Sequence, residues 1–122
     1  MHTAAGLPLD LVLQRVYTIA VTKDRILDQL RQHQAELQSA GVEKLSLFGS
    51  VARGDDGPDS DVDVVVTLTE EIMRSGFGYI SSISRLRERI EEITGKSVDI
   101  VSEPIEKESL RRSIERDRAI AF

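Results

Sequence analysis

The sequence contains no cysteine and only two histidines, and both shortages limit the chemistry that it can carry. Without cysteine the chain forms neither disulfides nor thiolate metal sites, which fits a reducing compartment and predicts a cytoplasmic location. His2 and His33 are too few and too far apart in the sequence to indicate a histidine metal site. Metal sites built on thiolates or on imidazoles are therefore not expected.

Long apolar runs and an excess of positive charge are also lacking. The apolar stretch from Leu7 to Leu13 is interrupted by Pro8 and Asp10, so no segment approaches the length of a membrane span. The first residues lack the basic region of a secretion signal. With a formal net charge of −5, the chain has no basic field of the kind that broad binding to nucleic acid needs. The sequence predicts neither membrane contact nor direct nucleic acid binding.

The length of 122 residues suits one domain with a single modest core. Apolar residues recur at helical spacing over residues 9–20, which predicts a first helix. We therefore expect an N-terminal extension of helical character, residues 1–21, followed by one domain formed by residues 22–122.

The pattern within that domain alternates between helical and strand periodicity. Apolar spacing from the capping residue Thr22 to Gly41 predicts a long helix, and Gly95 is a typical end for a second one. The predicted helices cover residues 22–40, 79–94 and 106–117, and the predicted strands cover residues 43–48, 61–68 and 97–101. This order predicts an α+β fold, a mixed sheet with helices packed against one face.

Five aspartates and no basic residue lie between positions 55 and 63, although like charges this close repel one another. Part of the segment resembles a calcium-binding loop, with Asp59, Asp61, Asp63 and Glu70 at the right spacing. Val64 stands where the sharp turn of that loop needs glycine, and a strand follows instead of a helix. A calcium loop is therefore not expected.

A phosphate loop of the nucleotide-hydrolase type is a second partial match. Gly49 and Gly54 have its spacing, but Asp55 and Asp56 occupy the positions of its lysine and hydroxyl residue. Two carboxylates placed against phosphates would repel the ligand. This pattern is rejected as well.

A different arrangement uses all of these features. Gly49 and Ser50 follow a strand and open a short turn or helix, whose backbone N–H groups can bind phosphate. Asp61 and Asp63 are two residues apart in a strand, so both carboxylates lie on one face with Cα atoms about 7 Å apart. Asp99 interrupts an otherwise apolar strand. If the two strands pair, three carboxylates converge, and two Mg²⁺ ions about 4 Å apart would fit them and hold a nucleoside triphosphate.

The spacing of these residues resembles that of a known superfamily. Gly49-Ser50, ten further residues and Asp61-Val62-Asp63, followed by a later strand aspartate, resemble the nucleotidyltransferases related to DNA polymerase beta. The stretch Leu47 to Gly54 (LFGSVARG) and the ending Leu110 to Arg118 (LRRSIERDR) resemble the minimal nucleotidyltransferases, or MNT proteins. The resemblance covers about residues 22–122.

This resemblance implies an enzyme that transfers AMP from ATP to a hydroxyl group, with pyrophosphate leaving. The acceptor implied is a hydroxyl, tyrosine for instance, of a HEPN-type RNase toxin for which the MNT protein acts as antitoxin. It implies Asp61, Asp63 and Asp99 as catalytic metal ligands, with Asp99 also taking the acceptor's proton. Gly49 and Ser50 would bind the phosphates. The partners expected are ATP and the toxin, in a hetero-oligomer or in a homo-oligomer of the chain itself.

Several alternatives remain open from the sequence. Arg53 suits a phosphate contact, but it can equally neutralise Asp55 and Asp56 on the surface. The basic residues of the last helix are typical of a solvent-exposed helix face, and a contact with a partner or with the triphosphate is the less favoured interpretation. For the whole chain, the alternatives are a binding subunit that neutralises its partner without catalysis, and a nucleotidyltransferase acting on a small molecule.

Overall fold

The computed structural model describes residues 22–122, so the helix predicted over residues 9–20 lies outside the described residues. The described elements are helices α1 (22–32), α2 (Gln34–Ser39), α3 (Gly49–Arg53), α4 (Glu70–Met73), α5 (Phe77–Thr94) and α6 (Glu108–Asp117), and strands β1 (Val42–Phe48), β2 (Val62–Leu68), β3 (Val98–Ser102) and β4 (Ala119–Ile120). None of the helices in this part of the chain is long and apolar enough to cross a membrane.

The strands form one mixed sheet in the order β3-β2-β1-β4. Strand β2 is antiparallel to β1 and parallel to β3, while β4 pairs antiparallel with β1. A long crossover is required between the parallel strands β2 and β3, and α4 and α5 supply it. The sheet is therefore the mixed sheet that the sequence predicts.

Helices cover both faces of this sheet, not one face as the sequence predicts. Val62, Val64 and Val66 belong to the main core, together with buried residues of α1, α2 and α5. The intervening Val65 packs with Phe48 and with Ile114 of α6 in a second cluster. Because successive strand residues point to opposite faces, α6 must lie across the face opposite α5. An unbroken valine run is typical of a strand that is buried on both sides.

The long helix predicted up to residue 40 is interrupted at His33. The Nδ1 atom of His33 lies 2.8 Å from the carbonyl oxygen of Gln29, which would otherwise accept the backbone N–H of His33 in a continuous helix. That N–H bonds to Leu30 instead, over 3.1 Å. A side chain inserted into the backbone ladder is a known cause of a helix break. The predicted apolar stripe is nevertheless buried at Ile26, Leu27, Leu30 and Leu37, whereas Ala40 is exposed.

Two short elements, α4 and β4, are not predicted from the sequence pattern. Helix α4 lies between the strand predicted over residues 61–68 and the helix predicted over residues 79–94. Its first turn is capped by the hydroxyl of Thr69, which accepts a bond from the N–H of Ile72. Strand β4 consists of Ala119 and Ile120 and pairs with Leu47 and Ser46 of β1. Neither element is long enough to show a periodicity.

Candidate active site

The junction of β1 and α3 places a glycine directly against an aspartate of the neighbouring strand. Phe48, the last residue of β1, is the register partner of Asp63 on β2. A Cβ atom added to the next residue, Gly49, would lie 2.2 Å from Oδ2 of Asp63 and 3.1 Å from its Cγ. Gly49 also has a φ of +74°, which side-chain-bearing residues rarely adopt. Glycine is therefore needed here for two independent reasons.

Helix α3 is short, and its ends are fixed by local features. Val51 and Ala52 are buried in the main core, which anchors the helix on the sheet. At its end, Gly54 has a φ of +78°, its N–H bonds to Val51 over 3.1 Å, and the N–H of Asp55 bonds to Ser50 over 3.0 Å. This pair of bonds is the usual termination of a helix by glycine. The helix therefore holds the Gly49-Ser50 turn close to the start of β2.

Asp63 and Asp99 are direct register partners in the parallel strands β2 and β3. The predicted pairing of the two strands is therefore confirmed, and both side chains lie on the same face, since neighbouring partners share their direction. Cα atoms of adjacent strands are about 4.8 Å apart. Asp61 precedes β2 by one residue and is exposed, as is Asp99, whereas Asp63 is half-buried.

The charges of the three aspartates act on one another. Burial raises the pKa of Asp63 above its ordinary value, and the negative charges of Asp99 and Asp61 raise it further. Arg53 opposes this effect with its positive charge. A carboxylate that is held near two others without sufficient positive charge is a place where a cation would be stabilising.

The carboxylates of Asp61, Asp63 and Asp99 do not surround one position in the way that a complete set of metal ligands does. Among residues 22–122, no group of three acidic or histidine side chains has the geometry of a metal site. The oxygen donors nevertheless fit Mg²⁺ in kind, since Mg²⁺ prefers carboxylates and retains several waters instead of requiring a closed protein cage. Which of the three aspartates hold a metal therefore stays a prediction.

Arg53 is engaged with acidic side chains on both sides. Its Nε donates to Asp55 over 3.1 Å, and its Nη1 donates to Asp117 over 2.8 Å. The contact with Asp55 matches the charge-neutralising role considered for Arg53, while the contact with Asp117 is not foreseen. Asp59 is exposed in the same loop. A phosphate contact of Arg53 stays a prediction.

Asp117 is the residue near this site that sequence reasoning missed. It is the last residue of α6, and its side chain is only 3% exposed. A negative charge at the C-terminal end of a helix is disfavoured by the helix dipole. An aspartate in that position is the signal that could have revealed a cationic partner elsewhere in the chain. The other arginines of α6 fit the predicted surface role, for example Arg112, which pairs with Glu108.

Comparison with known sequences gives one family for nearly all of the described residues. Residues 24–121 match the nucleotidyltransferase domain. A candidate protein adenylyltransferase of Methanocaldococcus jannaschii is 34% identical over 98 residues, which are 79% of this chain and 94% of that protein. Protein adenylyltransferase MntA of Thermococcus cleftensis is 32% identical over 98 residues, which are 80% of this chain and 93% of that protein.

Solved structures share the fold. A candidate minimal nucleotidyltransferase matches with a TM-score of 0.56 and 29% identity, over 84% of this chain and 92% of that chain. A chain of a toxin–antitoxin complex with AMP-PNP matches with a TM-score of 0.53 and 18% identity, over 82% of this chain and 72% of that chain. The second likeness concerns the fold alone. The α+β fold and the resemblance seen in the sequence are both confirmed.

Proposed function

Because the chain belongs to the nucleotidyltransferase domain family, we propose that it transfers AMP from ATP to a hydroxyl group of a partner protein. The observation that carries this proposal is the register of Asp63 and Asp99 beside Gly49. It puts acidic groups next to the Gly49-Ser50 turn that begins α3. The curated relatives, both described as protein adenylyltransferases, support the transfer of AMP to protein over transfer to a small molecule.

Asp61, Asp63 and Asp99 are the residues that would hold Mg²⁺. Their oxygen donors suit this ion. The pKa of Asp63 is raised first by burial and then by the charges of Asp99 and Asp61, and a bound cation would offset both effects. Bound Mg²⁺ would neutralise the charge of the triphosphate and acidify the attacking hydroxyl. The number of ions is predicted to be two.

Gly49 and Ser50 would bind the triphosphate tail. The absence of a side chain on Gly49 leaves room for the carboxylate of Asp63 directly beside the turn. The hydroxyl of Ser50 makes no hydrogen bond that competes with this role among the described residues. Arg53, at the other end of α3, would add positive charge on the same side of the site. These residues position ATP; they do not form a covalent bond with it.

The proposed reaction is a single in-line displacement. The acceptor oxygen forms a bond to the α-phosphorus of ATP, and the bond from that phosphorus to the oxygen bridging to the β-phosphorus breaks. Pyrophosphate leaves with the electron pair of the broken bond. Asp99 is exposed on the edge strand β3, and it takes the proton of the acceptor hydroxyl. Positioning and charge stabilisation supply most of the rate enhancement in reactions of this kind.

The proposed acceptor is a tyrosine hydroxyl of a HEPN-type RNase toxin, for which this chain acts as antitoxin. Support comes from the resemblance to MNT proteins, from the MntA relative, and from the toxin–antitoxin complex that shares the fold. A hetero-oligomer with the toxin follows from this assignment. A cytoplasmic location stays a prediction of the sequence.

Incubation of the chain with ATP, Mg²⁺ and the protein encoded next to it, followed by intact mass measurement of both, tests this function. The expected result is an AMP-sized gain on the neighbour that is lost with Asp63→Asn. Asp59→Asn is the matched control, because it removes the same charge from an exposed residue of the preceding loop.

The alternatives give different outcomes. Unchanged masses within a firmly bound complex would indicate an antitoxin that acts by binding alone. Consumption of ATP with an added small alcohol, and no gain on the protein, would indicate a small-molecule nucleotidyltransferase. Either result would overturn the proposal.

A further inference from the structure

Asp117 connects the last helix to the helix that carries the candidate phosphate turn. Its Oδ2 accepts a hydrogen bond of 2.8 Å from Nη1 of Arg53, which is 64 residues away in the sequence, and its Oδ1 accepts one of 3.0 Å from Nε of Arg116. Its side chain is 3% exposed, compared with 42% for Arg53. The carboxylate is therefore enclosed between the two arginines.

This carboxylate occupies an unfavourable position for the helix itself. The C-terminal end of a helix carries partial negative charge, so an acidic residue there costs stability unless cations compensate. Arg116 and then Arg53 supply the compensation, and together they lower the pKa of Asp117. The side chain is thus ionised and held by its two partners at neutral pH.

The backbone that carries Asp117 is anchored to the strand that carries the turn. Strand β4 begins two residues after Asp117, at Ala119, which pairs with Leu47 of β1. Strand β1 ends one residue later, and Gly49 follows. Asp117 is therefore a fixed point relative to the Gly49-Ser50 turn, not a group on a separate surface helix.

Arg53 is held in a way that leaves part of its guanidinium available. Nε donates to Asp55 and Nη1 donates to Asp117, while Nη2 forms no hydrogen bond with any of residues 22–122. The positive charge of Arg53 is also close enough to Asp63 to lower the pKa of that carboxyl. Two of the three nitrogens of the guanidinium are therefore fixed by carboxylates, Nη2 has no partner among the described residues, and the charge of the group acts on the acidic site.

We propose that Asp117 is a positioning residue that holds Arg53 so that its Nη2 donates to the triphosphate of bound nucleotide. This rests on the proposed function, because it assigns the ligand of Arg53. A guanidinium that is already oriented loses less side-chain freedom when it binds an anion, so the enclosed carboxylate raises nucleotide affinity without touching the nucleotide. The reacting atoms are unaffected, so the effect belongs to binding and not to the chemical step.

The test compares Asp117→Asn with the control Glu115→Gln. Glu115 is an exposed residue of the same helix, and it forms no ion pair among the described residues, so the control removes one charge without breaking a contact. Equilibrium binding of ATP with Mg²⁺ is measured first, and then KM and kcat for AMP transfer. Asp117→Asn is expected to weaken ATP binding and raise KM by about tenfold, while kcat for saturated enzyme stays about the same. Glu115→Gln is expected to match the wild type. Thermal unfolding of each variant shows whether it is folded.

The double variant Arg53→Gln/Asp117→Asn separates positioning from a general structural effect. If Asp117 acts through Arg53, the double variant binds ATP no more weakly than Arg53→Gln alone. A further loss in the double variant would overturn the proposal, as would ATP binding of Asp117→Asn that equals the wild type or exceeds it. Tighter binding would mean that Asp117 holds Arg53 away from the nucleotide.

The outcomes also separate this inference from the proposed function. A wild-type chain that binds ATP but never transfers AMP contradicts the proposed function, while the binding comparison still decides the role of Asp117. A wild-type chain that transfers AMP, with Asp117→Asn indistinguishable from Glu115→Gln, contradicts only the role of Asp117. A wild-type chain that does not bind ATP contradicts both.

Discussion

The backbone of Gly49 is in direct contact with the carboxylate of Asp63: a Cβ atom on Gly49 would lie 2.2 Å from Oδ2 of Asp63. The first residue of α3 and the second residue of β2 thus share one small space. This contact brings an acidic side chain directly against the turn that is proposed to bind the triphosphate.

Gly49→Ala is expected to reduce both stability and AMP transfer. The φ of +74° costs an alanine about 1 kcal/mol, and the clash with Asp63 adds roughly 1 to 3 kcal/mol of overpacking strain. Gly54→Ala is the matched control, since Gly54 has a φ of +78° but nothing within 4 Å of an added Cβ atom. Urea unfolding should show the larger loss for Gly49→Ala. Equal losses would mean that the contact with Asp63 relaxes without cost.

Asp63→Asn is expected to abolish AMP transfer and yet to stabilise the fold at neutral pH. Burial, followed by the charges of Asp99 and Asp61, raises the pKa of Asp63 in the folded chain. A carboxyl with a raised folded pKa contributes stability below its unfolded pKa of about 3.9, and this stability is lost as pH rises through the folded pKa. Urea unfolding at several pH values should show a modest advantage of Asp63→Asn at pH 7 that disappears near pH 4.

The control for this pH dependence is Asp59→Asn, which changes an exposed loop residue. It should follow the wild-type profile at every pH. If Asp63→Asn also follows that profile, neither burial nor the neighbouring aspartates raise the pKa of Asp63 in solution.

The parts of the site that follow from local periodicity could be predicted from the sequence. Alternation along a strand predicts Asp61 and Asp63 on one face, and the prediction that three carboxylates converge is conditional on the strand of Asp99 pairing beside them. The two strands do pair, with Asp63 opposite Asp99, whereas Asp61 lies just before β2. Gly49 could be assigned to a turn because a strand pattern ends directly before it. These predictions use side-chain direction and chain breaks, which neighbouring residues determine.

The parts that depend on distant contacts could not be predicted. Arg53 and Asp117 are 64 residues apart, and although an aspartate at a helix C-terminus indicates a cationic partner, nothing in the sequence shows that this partner is Arg53. The break at His33 depends on a contact between its ring nitrogen and a backbone carbonyl oxygen, whereas the apolar spacing of the sequence continues across the break. The position of α6 on the second face of the sheet depends on the packing of Ile114 against Val65. The valine run itself fits a strand with helices packed on one face or on both.

Mg²⁺ is expected to stabilise the wild-type chain against heat. The ion would offset the burial and the neighbouring negative charges that raise the pKa of Asp63, and any ligand that prefers the folded state raises the unfolding temperature. Thermal unfolding in millimolar MgCl2, with and without a non-hydrolysable ATP analogue, measures this effect. The shift should be absent in Asp63→Asn and present in Asp59→Asn. A shift of the same size in both variants would place the ion elsewhere.

Asp99→Asn is expected to separate nucleotide binding from the chemical step. Asp99 is exposed on the edge strand, where an acceptor hydroxyl can reach it, and it is the proposed acceptor of the proton. Loss of a general base lowers the rate by roughly 10² to 10⁴, whereas ATP still meets Gly49, Ser50 and Arg53. Single-turnover transfer should therefore fall by about this factor, while the affinity for ATP falls by less than about tenfold.

The comparison with Asp61→Asn makes this result decisive. Asp61 is assigned to holding Mg²⁺ and not to the proton, so its loss should weaken metal-dependent ATP binding and transfer together. If Asp99→Asn shows that same joint loss, Asp99 serves only the metal, and the proton of the acceptor must pass to another group or to water. If Asp99→Asn has no effect on transfer, the register of Asp63 and Asp99 is a feature of the sheet and not of the reaction.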